Sequence, residues 1–248
     1  MAYSGSMQWR TRAGDEVAAR LGEPLTKDLT AAAWRTALDP KGEWISAVLS
    51  AADKRLTEVR RHLPDAGGLV IATNQTTARA YSRVLASITG TKPTLILSDD
   101  PGSSAKIASF AEASDRWMIA VRMVSEGVDV PRLAVGVYAT ATSTPLFFAQ
   151  AVGRFVRARR RGELATVFLP TVPIVLAHAA SLERQRDHVL GRKQPDADGS
   201  LWDESEALLD AANRGEAASD DLLGSFEALE SSATFDHALF DGDAYGLH

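Results

Sequence analysis

"GLVIATNQTTARAYSRVL", residues Gly68 to Leu85, decides the fold. Gly68 to Thr73 is a short apolar run rich in β-branched residues, the pattern of a buried strand. Asn74 is a helix cap, and Gln75 to about Ser87 reads as the helix it starts. The same alternation continues downstream. "TLILS" (Thr94–Ser98) is a second strand, followed by a turn at Asp99–Ser104 and a short helix over Ala105–Ala113. "RWMIAV" (Arg116–Val121) is a third strand, and "SEGVDVP" (Ser125–Pro131) the loop after it. "LAVGVYAT" (Leu133–Thr140) is a fourth strand, and Thr144-Pro145 starts a helix with Pro in its first turn. "ATVFLP" (Ala165–Pro170) is a fifth strand, and a long helix runs from Pro173 to about Leu190. Buried strands alternating with helices predict an α/β fold: an open, mostly parallel sheet with helices on both faces. Ligands of such sheets bind at the carboxyl ends of the strands.

Upstream, Trp44, Ile45, Val48, Leu49, Ala52, Leu56 and Val59 recur at helical spacing, so a helix runs from Glu43 to about His62. Met1 to Thr30 is polar with few long apolar patterns, and Ala31 to Leu38 reads as one or two helical turns. Residues 1–42 are therefore expected to be an N-terminal extension, residues 43–193 the α/β domain, and residues 194–248 a separate tail. In that tail "LWDESEALLDAA" and "DDLLGSFEAL" read either as amphipathic helices or as disordered segments that order on a partner.

The chain has 248 residues, no cysteine and five scattered histidines. Disulfides, thiolate metal sites and thiol catalysis are excluded, no histidine pair has metal-ligand spacing, and a reducing, cytoplasmic setting is expected. No apolar run approaches the roughly 20 residues of a membrane span. The net charge of −5 hides an asymmetry. From Gln194 to His248 fourteen acids face one base, Arg214, and removing that −13 leaves residues 1–193 at +8. A basic body suits nucleic acid or nucleotide phosphates.

"QAVGRFVRARRR" (Gln150–Arg161) carries the chemistry. As a helix it places Gln150, Gly153, Arg154 and Arg157 on one face, and Phe148, Val152 and Phe155 on another. Two guanidiniums and an amide aimed together suit a polyanion, because Arg forks onto phosphate oxygens. Gly153 inside a helix costs about 1 kcal/mol against Ala, which a close backbone or ligand would explain. The competing explanation is a solvated basic helix paired with nearby acids.

Order and spacing say more. "GLVIATNQTTARAYSRVL", then "WMIAVRMVSEGVDVP", then "QAVGRFVRARR" about twenty residues on, resembles the second, C-terminal RecA-like domain of superfamily 2 (DEAD/DEAH-type) helicases and translocases, over roughly Trp44 to Leu190. "EGVDVP" is similar to that family's motif V, "QAVGRFVR" to motif VI, and the first stretch to the motif IV region. The resemblance implies that Arg154 and Arg157 reach ATP phosphates as arginine fingers, with Gln150 positioning the γ-phosphate or linking to the partner domain. It implies that Gly127 permits a tight turn, that Asp129 accepts from the ribose or orients an arginine, and that Gly153 lies at the nucleotide. Asp129 has a plain alternative as a turn or cap residue. For nucleic acid, Thr73, Asn74 and Gln75 would donate to a phosphate from a helix N-terminus, although Thr73 is equally a strand end and Asn74 equally a cap. At the head of motif V many family members carry Thr followed by an acid. Here Val121 and Arg122 stand instead, and Arg122 either replaces the lost hydroxyl by charge or pairs with Glu126.

No G-x-x-x-x-G-K-[ST] loop is present, and neither "GDEV" (Gly14–Val17) nor "WDES" (Trp202–Ser205) follows an apolar strand as a metal-holding DExx box does. The fold expected is thus RecA-like without the P-loop itself. The function expected is the C-terminal motor half of an ATP-dependent nucleic-acid helicase or translocase, DNA favoured over RNA. ATP and Mg²⁺ would be held mainly by an N-terminal RecA-like domain of the same protein, with no membrane partner, and this segment alone would not hydrolyse ATP. The alternative is a motor-inactive RecA-like interaction module that recruits a partner through the acidic tail. A dinucleotide enzyme is disfavoured because no G-x-G-x-x-G follows the first strand.

Overall fold

The computed structural model describes residues 1–97, 102–121, 130–154, 165–190 (side chains to 184) and 226–238. The alternation predicted from sequence is present. In order come α2 (Glu43–Arg60), β3 (Gly67–Ala72), α3 (Gln75–Thr89), β4 (Thr94–Ile96), α4 (Ser103–Glu112), β5 (Trp117–Val121), β6 (Leu133–Ala139), α5 (Pro145–Gly153), β7 (Thr166–Pro170) and α6 (Pro173–Leu190). Every residue of β3, β5 and β6 is buried, which is why these strands read as continuous apolar runs. They pair in parallel in the order β7-β6-β3-β5-β4. Because right-handed crossovers are the rule, the reversal between β4 and β5 puts α3 and α4 on opposite faces. The sheet is therefore open, mostly parallel and doubly covered.

Nine strands are described rather than the five expected. The additional four come from the segments read as extension and tail. Residues before α2 form β1 (Ala2–Arg10), β2 (Glu16–Leu21) and α1 (Lys27–Ala37), and residues of the tail form β8 (Glu227–Ser231) and β9 (Thr234–His237). β1 joins the sheet beside β7, in parallel, with Ala2 opposite Leu169 and Tyr3 opposite Pro170. Met7, Trp9, Leu21 and Trp34 then enter the core. The end of "DDLLGSFEAL", expected as helix or as a disordered segment, is strand β8. Its apolar residues are placed by a partner strand more than two hundred positions away, which no local period reports.

β8 and β9 make one antiparallel run along β1. Ser231 faces Met7, the amide of Ser232 bonds Ser6 O at 2.9 Å, and Thr234 faces Ser4. Because that run occupies one side of β1, β2 and β7 share the other, end to end. A Cβ on Gly22 would lie 2.7 Å from Thr171 Cγ2, which confirms the abutment, and Gly22 has φ +93° at this corner. Beyond Tyr3, β1 continues about 20 Å past the carboxyl edge of the parallel strands, at about 3.3 Å per residue. A three-stranded ribbon of β2, β1 and β8 thus stands over that edge, with α1 packed on it.

Two glycines are required by close approach. A Cβ at Gly68 would fall 2.3 Å from the Trp117 ring, and one at Gly5 would fall on Ser232 O. The amino ends of the strands are closed by polar networks. Asp53 of α2 accepts from Arg116 at 2.7 Å and from Trp117 Nε1 at 2.8 Å. Arg132, 4% exposed, donates to Phe110 O, Asp65 O and Asp115 O at 2.6 to 2.8 Å, with its guanidinium 3.9 Å from the Phe110 ring centroid.

Candidate functional site

β6, β3 and β5 are neighbours, so their carboxyl ends share one stretch of sheet edge. β3 leads into Thr73, Asn74 and Gln75, and β6 leads through Thr140–Thr144 into α5. Beyond β5, the segment carrying Arg122, Gly127 and Asp129 lies outside the described residues, as does Arg157.

Asn74 caps α3 through a reciprocal box. Its Oδ1 accepts from Thr77 N at 2.9 Å, and Thr77 Oγ1 accepts from Asn74 N at 3.2 Å. The Asn74 carboxamide oxygen is therefore engaged in the cap. Gln75 and Thr76 occupy the first turn, where backbone N–H groups have no intrahelical acceptor, and no acidic residue sits there. That end of α3 keeps its partial positive charge. Thr73 Oγ1 accepts from Ala141 N at 3.4 Å, so Thr73 ties the end of β3 to the connection after β6.

That connection, "TATST" (Thr140–Thr144), is built almost wholly from side chains holding backbone. Tyr138 Oη donates to Thr142 O at 2.6 Å, Thr140 Oγ1 accepts from Thr142 N at 3.3 Å, and His178 Nε2 reaches Ser143 O at 2.8 Å. Thr140 and Thr142 are buried. Tyr138, Thr140, Thr142 and His178 were not singled out from sequence. Their side chains serve the backbone of a loop, and no local motif marks that.

α5 ends at Gly153, with Arg154 as its C-cap in αR conformation, and residues 155–161 of the motif stretch lie outside the described residues. Gln150 and Gly153 share a face, three residues apart. Gln150 Oε1 is buried with no hydrogen-bond partner among the described residues. A Cβ on Gly153 would meet nothing within 4 Å. Packing of the described residues therefore gives no reason for glycine there, and as the last helical residue it escapes most of the cost of an interior position.

No protein-family model matches the chain. Two proteins of Mycobacterium tuberculosis strains, each named as uncharacterized, are 56% identical over 246 residues, and one of Mycobacterium leprae is 54% identical. The alignments take in 99% of this chain and 40% of each relative, so the chain spans about two fifths of the length of the curated relatives it matches. Among solved structures, domain 2 of a DEAD-box helicase bound to an RNA duplex is similar over 69% of this chain and 66% of its own, at 14% identity and TM-score 0.43. A putative HsdR subunit of a type I restriction enzyme from Vibrio vulnificus matches over 54% and 29%, at 20% identity and TM-score 0.44. The Pyrococcus furiosus Hef helicase domain matches over 53% and 28%, at 19% identity and TM-score 0.37. Likeness of this extent concerns the arrangement of strands and helices only. Among the described residues no helix is long and apolar enough to cross a membrane, and no group of three or more His, Asp or Glu side chains could hold a metal.

Proposed function

We propose that this chain is the C-terminal motor half of an ATP-dependent nucleic-acid helicase or translocase, acting on DNA in preference to RNA. One observation carries the proposal. "EGVDVP" and "QAVGRFVR" stand at the family's spacing, and both follow strands whose carboxyl ends, with that of β3 between them, form one edge. Motif IV, V and VI segments thereby belong to adjoining lanes of a single sheet.

In this function Arg154 and Arg157 approach the phosphates of a nucleotide, and Gly127 and Asp129 form the turn beside its ribose. The bound ATP and Mg²⁺ supply the phosphoryl group and the neutralising charge, and both are held mainly by an N-terminal RecA-like domain of the longer protein. The relatives' greater length leaves room for such a domain. Fixed guanidiniums would then stabilise charge developing on the transferred group. Gln150 fits this site because its buried oxygen has no donor among the described residues, and an unmet buried acceptor costs about 1–3 kcal/mol. The first turn of α3, with Thr73 to Gln75, fits a sugar-phosphate backbone through the partial positive charge of the helix N-terminus, and Arg122 would add charge to the same track. The alternative, a tail that recruits a partner, is weakened for residues 227–237, which are already paired with β1.

The test uses the full-length protein. Wild type should hydrolyse ATP faster when nucleic acid is added, with DNA the stronger stimulant. Arg157→Ala should reduce that rate by about 10³-fold or more, the scale of an arginine finger, with an unchanged far-UV spectrum and melting point. Arg154→Ala should fall in the same direction. An unchanged kcat in Arg157→Ala would exclude it as a finger, and no stimulated hydrolysis in wild type would overturn the motor function.

A further inference from the structure

We infer that His178, which lies in α6 outside every motif, is a positioning residue for the α5 site. This rests on the function proposed above. α5 carries Gln150 and is followed by Arg154 as its C-cap, and its direction is set by the five residues that enter it. Three side chains from three elements clamp consecutive backbone groups of that entry. Thr73 of the β3 end takes the Ala141 N–H, Tyr138 of β6 donates to Thr142 O, and His178 of α6 meets Ser143 O at 2.8 Å.

A carbonyl only accepts, so Nε2 carries the proton and donates. The ring also packs on Phe148 of α5, with centroids 5.8 Å apart, and Phe148 in turn packs on Tyr138 at 5.3 Å. His178, like Tyr138, thus holds both the entry backbone and the helix body. It is also the only one of the three that lies outside β3 and β6, so it couples α5 to α6.

The helix lacks the usual local device at this end. Its N-cap, Thr144, makes no side-chain cap bond, and its Oγ1 is buried with no partner among the described residues. Pro145 follows and has no N–H to be capped. With no cap to fix the entry angle, the His178 bond one residue earlier takes over that role. Displacing α5 would move Gln150 and Arg154 together, and misplacing a catalytic group by about 1 Å can cost about 10²-fold in rate.

Two variants separate positioning from packing. His178→Phe keeps a ring against Phe148 but loses the donor, and His178→Gln keeps an N–H donor. In the 248-residue chain, hydrogen exchange over residues 140–151 should quicken in His178→Phe and return towards wild type in His178→Gln. The rest of the sheet should be unchanged. In the full-length protein, His178→Phe should lower kcat for nucleic-acid-stimulated ATP hydrolysis about tenfold at nearly constant KM for ATP, and His178→Gln should restore most of it. Unchanged exchange in His178→Phe overturns the clamp whatever the ATPase does. Equal loss of kcat in both variants, or none in His178→Phe, overturns the positioning role. If wild type has no stimulated ATPase, the motor function fails and the catalytic purpose given to His178 fails with it, while the exchange result still decides whether the clamp exists.

Discussion

Arg132 shows how far a residue's role lies from its sequence context. It directly follows "SEGVDVP", the segment proposed for nucleotide chemistry, yet it faces the amino edge of the sheet. There its fork satisfies three carbonyls from the end of α4, the loop before β3 and the loop before β5. A buried guanidinium is tolerable when every donor is used. Arg132→Met would leave those carbonyls without a donor, and urea unfolding should show a loss of about 3–5 kcal/mol. Arg132→Lys should recover little of it, because an ammonium cannot serve three divergent carbonyls with one planar fork. Arg154 and Gln150 stand out in the sequence as candidates because family motifs mark them. Arg132, Tyr138 and His178 do not, because contacts alone define their work.

At the scale of elements, the strand formed by residues 227–237 is the least expected part. Ser231 Oγ accepts from Trp44 N at 3.2 Å and so caps α2, whose own N-cap, Gly42, has no side chain to do so. Trp44 Nε1 donates to Ser4 O at 3.0 Å. One tryptophan thereby joins α2 to β1, and its backbone joins α2 to β8. Ser231→Ala should cost about 1 kcal/mol, the usual worth of a helix cap, read as a lower midpoint in urea with unchanged slope. Ending the chain at residue 225 should cost much more and raise exchange throughout β1, since an entire antiparallel partner is lost. If that truncated chain melts like the full one, β8 and β9 contribute nothing to the fold.

For the whole molecule, charge and topology meet at the carboxyl edge. The body carries +8 and the tail −13, and residues 227–237 bring part of that acid back to the ribbon above this edge. Arg10 sits between Glu16 and Glu227 at 2.8 and 2.9 Å, so some of it is neutralised locally. These exposed pairs add little stability. Removing residues 194–225 alone spares the paired strands while deleting most of the tail's acids. That deletion should tighten binding of the full-length protein to single-stranded DNA and steepen its dependence on salt. Unchanged affinity and slope would exclude electrostatic competition by the tail.

Sequence alone determined the parallel core and its helices, because each is written in a local period. An apolar run of five or six residues reports its own burial, and Asn74 marks the start of α3 with its own chemistry. Only the tertiary structure decided that residues 2–10 are a strand of the sheet and residues 227–237 their partner. Ser4, Ser6 and Gln8 make β1 look polar. Its large buried side chains are Met7 and Trp9, with Ala2, Ser4 and Gly5 buried beside them, and its hydrogen bonds go to residues 169–170, 16–21 and 227–237. Strand pairing is a non-local contact. Which segments meet is settled by the core they bury together, and no stretch of either one records it.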